Sequence, residues 1–166
     1  MDSKLLGAVL TVIFLGGCYD QLPPDPGKEG MLTLEGIDSD EDGVRDDVQR
    51  YIGENYYLDK ELHTALTGLA IAYQDTILQH TSKEETFKQW SETTRALHCL
   101  YLADPEGAYS KQQELKSVTL NTRARIEAHF EAQKHLSGRT LTVPSSKYDE
   151  EICNGTMQAS VVKELP

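Results

Sequence analysis

From Val44 to Leu136 the apolar residues recur three and four positions apart, a spacing that a helix gathers onto one face and a strand does not. The clearest stripe is Leu62, Leu66, Leu69, Tyr73 and Ile77, which predicts a helix from about Asp59 to His80 with that face in the core. Before it, Val48, Tyr51 and Ile52 predict a helix beginning after Val44 and stopping near Gly53 and Asn55. After it, Ser82 followed by Glu85 has capping-box spacing, and Phe87, Trp90, Leu97 and Tyr101 continue a third helix that ends before Asp104-Pro105. Asp104 then caps a fourth, long helix running to about Leu136 through Leu115, Val118, Ile126 and Phe130 and closing at Ser137-Gly138. A connector over 139–144 leads to a short helix capped by Ser145 or Ser146 and ending at Asn154-Gly155. No useful strand alternation and no internal repeat occurs. The predicted fold is all-α: four main helices plus a short C-terminal helix, preceded by an aspartate-rich loop.

The N-terminus has a different organisation. Lys4 is a short basic region, and Leu5 to Leu15 is an apolar stretch of signal-peptide length that is too short to span a bilayer. It runs into Leu15-Gly16-Gly17-Cys18, which resembles the lipobox of bacterial lipoproteins. That resemblance implies removal of residues 1–17, acylation of Cys18 as the new N-terminus, and a lipid-anchored place in the bacterial cell envelope. Two or more acyl chains anchor stably where one does not. By the same resemblance, Tyr19 in place of an aspartate after the cysteine favours the periplasmic face of the outer membrane if the host is Gram-negative. Residues 18–30 hold three prolines and two glycines among polar residues, the composition of a flexible tether, and 31–166 would be the helical domain.

Removing residues 1–17 takes away Asp2 and Lys4 together, so the formal charge of −11 is retained. Nucleic acid and anionic lipid require clustered Lys and Arg, so both are poor partners for this surface. The remaining length suffices for one domain with a core. With Cys18 consumed by lipid, Cys99 and Cys153 are left as a pair in an oxidising compartment, and a disulfide is predicted. The alternatives are a buried structural thiol or a catalytic cysteine, though the neighbouring His98 points about 100° away around a helix and makes a poor activating base.

The stretch Asp38-Ser39-Asp40-Glu41-Asp42-Gly43-Val44-Arg45-Asp46-Asp47 places carboxylates at loop positions one, three, five and nine, with glycine at six. Alternate acids let oxygens converge on one hard cation, and glycine permits the turn. Over residues 38–49 the segment resembles the calcium loops of EF-hand-like and thrombospondin type 3 proteins. The resemblance implies calcium held by Asp38, Asp40 and Asp42, by the Val44 carbonyl, and by Asp46 directly or through water. At the twelfth position, where a full EF-hand has a bidentate glutamate, stands Gln49, so Asp47 or a carboxylate such as Glu35 is the candidate to complete the shell. The competing reading is an Asp-Gly turn leading into a helix whose positive end favours Asp46 and Asp47 without metal.

The five histidines lack metal-site spacing, and neither a G-x-S-x-G element nor a phosphate-binding glycine loop is present. The chain therefore reads as a non-enzymatic, calcium-binding lipoprotein that binds an envelope protein or cell-wall partner as an accessory module. Two alternatives stay open: a cell-wall or envelope hydrolase built on Glu92, Glu127 or His129, and an acidic inhibitor or immunity protein for a basic toxin.

Overall fold

The strongest apolar stripe in the sequence becomes the axis of the molecule. The computed structural model describes residues 22–143 together with Ile152 and Cys153. Among these are five α-helices and no strand: α1 (Asp46–Tyr56), α2 (Lys60–Leu78), α3 (Lys83–Ala103), α4 (Ala108–Thr119) and α5 (Arg123–His135). Leu66, Leu69 and Ile77 of α2 are fully buried, and Leu62 and Tyr73 nearly so. Their helix packs against all four others, while α1 meets α4, α4 meets α3 and α3 meets α5 in a ring around it. The ring closes between α5 and α1 with residues 30–37: Arg125 of α5 binds the carbonyls of Gly30, Thr33 and Leu34, and Gln74 of α2 binds that of Glu35. At the far end of this segment, the Asp46 amide bonds the Ile37 carbonyl at 2.8 Å.

Local signals set most boundaries. Asp59 caps α2 by accepting from the Leu62 amide at 3.0 Å, and Ser82 caps α3 through the Glu85 amide at 3.1 Å, contacts that each contribute about 1 kcal/mol. Pro105 has no amide hydrogen and drives Asp104 out of helical geometry (φ −147°), so α3 stops there.

The expected single helix from Asp104 to Leu136 is two helices. Leu120 leaves helical geometry, Thr122 is extended, and its hydroxyl caps a fresh start by accepting from the Arg125 amide at 3.2 Å. The new start resets the phase of the apolar face. Arg125, Ala128, His129 and Ala132 turn inward, whereas Ile126 and Phe130, expected in the core, are 40 % and 56 % exposed. The first helix also outruns its expected stop near Gly53. That glycine is an interior position where a side chain would collide with Leu22, and the helix continues to Tyr56.

Residues 22–30, expected as part of a free tether, lie against the domain. Leu22 packs on Gly53, Pro23 is buried and gives its carbonyl to Arg50 at 2.9 Å, and a 3-10 turn at Glu29–Met31 follows. Residues 32–37 follow as bends and loop held by the two buried side chains just described. Cys99 of α3 and Cys153 lie at disulfide distance, with Cα atoms 5.5 Å apart. The backbone of Ile152 and Cys153 is helical; the remainder of the expected C-terminal helix, like the signal region and Cys18, lies outside the described residues. Among the described residues no helix is long and apolar enough to cross a membrane.

Candidate metal centre

The aspartate-rich loop is folded by its own carboxylates. Asp38 accepts the amides of Asp42 (3.3 Å) and Gly43 (3.0 Å), and Asp42 accepts that of Val44 (2.8 Å). These bonds wrap the loop tightly enough to need two left-handed residues, Glu41 (φ 59°) and Gly43 (φ 89°). Glycine adopts that geometry without steric penalty; Glu41 bears a cost of about 1 kcal/mol or more. Val44 buries its side chain in the core and so fixes the loop to the bundle. As a result Asp38, Asp40 and Asp42 each offer an oxygen within 4.8 Å of the others.

The other expected ligands are engaged differently. Asp46 is buried, and its Oδ1 accepts both the amide and the hydroxyl of Ser39, at 2.8 and 3.2 Å, which ties loop position nine back to position two. Asp47, offered by sequence as a completing ligand, is instead held by a two-pronged Arg45 contact (2.9 and 3.0 Å) and by Asn121 (2.8 Å). A carboxylate paired with a guanidinium already has its counter-charge and is turned to the bundle. Glu35 is exposed, and its backbone carbonyl accepts from the Gln74 side chain at 3.0 Å.

Gln49 has an unexpected place. Its Nε2 donates to Asp40 Oδ2 and Asp42 Oδ2, both at 3.0 Å, while its Oε1 is shut off from solvent and has no partner among the described residues. The twelfth position therefore does face the cluster, with an amide in place of a carboxylate. Loop numbering carried that signal, since the twelfth side chain returns to the cation in this class of loop.

Electrostatics follow from these contacts. The Gln49 hydrogen bond holds the Asp40 carboxyl below its usual range. Burial pushes Asp42 upward; the Val44 amide opposes this, and the charges of Asp40, Asp38 and Asp46 add to it. Burial would raise Asp47 as well, but the bond to Arg45 and its charge bring that group below its ordinary value. The cluster is thus rich in negative charge at neutral pH, with one side-chain NH2 as its local donor.

Two buried arginines that no sequence pattern announced position the loop. Arg45, 2 % exposed, also reaches Gln74 and the carbonyls of Val118 and Thr119, so the α4–α5 break supplies acceptors for it. Arg125 is fully buried, and Asn121 joins the three carbonyls around it. Gly36, at φ 72°, passes so close to both guanidinium arms that a side chain there would collide with them.

The three residues offered for a hydrolase each have a local contact. Glu92 pairs with Arg95 and Glu127 with Arg123; His129 is buried against Trp90 and Gln133, and that burial, with Lys116 nearby, lowers its pKa to about 4. Tyr51 and Tyr56 both bond Glu114 of α4 (3.0 and 3.4 Å) and pack α1 on the bundle, while Tyr57 stays exposed. Comparison of the chain with protein-family models, with curated proteins and with solved structures finds no match.

Proposed function

We propose that this chain is a lipid-anchored envelope protein that binds one calcium ion in the 38–49 loop and serves as a binding or accessory module. The observation that carries the metal reading is the convergence of Asp38, Asp40 and Asp42 with Gln49 bridging two of them. Opposed oxygens around calcium, at 2.3–2.6 Å from the ion, stand about 4.6 to 5.2 Å apart, whereas around magnesium they stand about 4.2 Å apart. A cluster whose oxygens lie within 4.8 Å of one another accommodates a divalent cation of either size, and the all-oxygen loop favours calcium over magnesium, which demands tighter octahedral geometry and keeps its waters. Rotation of the Gln49 amide by half a turn would present Oε1 to the same space and give the unpartnered oxygen a cation. The metal's role in this reading is structural: it neutralises the loop that leads into α1.

The anchor reading rests on the basic, apolar and small-residue pattern that ends at Cys18, and the accessory reading on a chain without a recognisable nucleophile. The test is calorimetric titration of calcium and magnesium into the soluble chain starting at Tyr19, beside Asp38→Ala, Asp40→Ala. One calcium-selective site, lost in the double variant, is the expected result; absence of calcium binding in the parent chain would return the loop to an acidic lead-in to α1.

A further inference from the structure

We propose that residues 22–34 form the bilayer-facing surface of the protein, holding the domain flush on the membrane with Met31 and Leu32 in the headgroup layer. This rests on the lipid-anchor reading at Cys18 and adds where the anchored body sits. Leu22 is packed on Gly53 and Pro23 is bound by Arg50, so residue 22 is already part of the packed domain. Between Cys18 and Leu22 stand Tyr19, Asp20 and Gln21 alone. Four Cα–Cα steps of 3.8 Å reach at most about 15 Å, so an acylated Cys18 keeps Leu22 within about that distance of the lipid attachment point.

The surface so placed carries Asp25, Lys28 and Glu29, a formal charge of −1 in a chain of −11. Beyond Leu22 the segment crosses from α1 to α5 and exposes two consecutive large apolar side chains, Met31 at 52 % and Leu32 at 78 %. Arg125 fixes the backbone around them by binding the carbonyls of Gly30 and Thr33, so their exposure is built into the fold. On α5, to which they are pinned, Ile126 and Phe130 one turn apart add further exposed apolar area. Exposed apolar side chains on a lipid-anchored body insert shallowly into an interface, each removing its own surface from water. Lys88, exposed on α3, provides a reference position.

The experiment uses the full lipidated chain in phosphatidylcholine vesicles carrying a headgroup spin label. A fluorophore is placed in turn by Leu32→Cys, by Met31→Cys and, on α3, by Lys88→Cys. The expected result is several-fold stronger quenching at positions 31 and 32 than at 88 in protein that floats with the vesicles. Flotation with equal or inverted quenching overturns this inference and leaves the anchor standing; failure of the parent chain to float overturns the anchor, and this inference with it.

Discussion

Replacing Gln49 by glutamate tests the metal centre from both directions. In the folded chain the Gln49 amide nitrogen stands 3.0 Å from one oxygen of Asp40 and one of Asp42. Gln49→Glu removes two bonds to ionised acceptors and sets a third charge against both carboxylates. At an exposed site each new repulsion at about 4 Å costs about 1 kcal/mol, and the lost bonds add roughly 1 kcal/mol more, for a total near 3 kcal/mol. In a domain of this size that lowers the melting temperature in chelator by roughly 10 °C. Calcium reverses the sign of the added charge's effect on stability. The new carboxylate completes the loop's twelfth position, and each tenfold gain in affinity adds about 1.4 kcal/mol to the stabilisation by saturating calcium. Melting followed by circular dichroism, with chelator and with excess calcium, reads both effects. The expected outcome is a variant that melts lower than the parent in chelator and rises further with calcium. Since the repulsion raises the new group's folded pKa, the penalty is present above that pKa and disappears as pH falls below it. An unchanged melting temperature in chelator, or a calcium rise no larger than the parent's, would refute the placement of Gln49 and the metal reading together.

Arg125→Met should destabilise the fold by about 3 to 5 kcal/mol in urea titrations, because three carbonyls lose their buried donor, and trypsin should then cut faster at Lys28 as residues 22–37 come away. Gly36→Ala should cost roughly 2 to 3 kcal/mol in the same assay, since it combines a left-handed backbone with a collision against Arg45 and Arg125. His129, held neutral by burial with its pKa lowered to about 4, makes stability fall as pH drops from about 6.5 to about 4, the range in which the unfolded chain takes up a proton that the folded chain refuses. His129→Gln should flatten that part of the pH–stability curve. The paired Cys99→Ala, Cys153→Ala variant should lose roughly 4 kcal/mol on the chain-entropy model for a separation of 54 residues, read as a lower urea midpoint; equal midpoints would show that the two cysteines form no constraining link.

What the sequence determined by itself is what neighbours within a turn of helix or one loop can settle. The stripe of Leu62, Leu66, Leu69, Tyr73 and Ile77 needed only the helical period to define a buried face, and Asp59, Ser82 and Pro105 set ends through contacts three residues away or through a missing amide hydrogen. Alternation of Asp38, Asp40 and Asp42 around Gly43 likewise sufficed to gather three carboxylates. The division of the expected long helix was also local, carried by Asn121-Thr122, but the apolar spacing through Val118, Ile126 and Phe130 masked it. Only the tertiary structure decided the rest, because the partners are far apart in the chain. Asp47 is withdrawn from the metal loop by Arg45 and by Asn121, which stands 74 residues away, and Arg125 binds carbonyls more than 90 residues before it. The tether-like composition of residues 22–30 describes a chain with no intrinsic structure; whether it lies free or docked depends on the gap between α1 and α5 and on a glycine at position 53 that lets Leu22 in. A sequence records which residues favour a helix or a turn, whereas charge compensation and cavity filling are settled by whatever the assembled fold brings alongside.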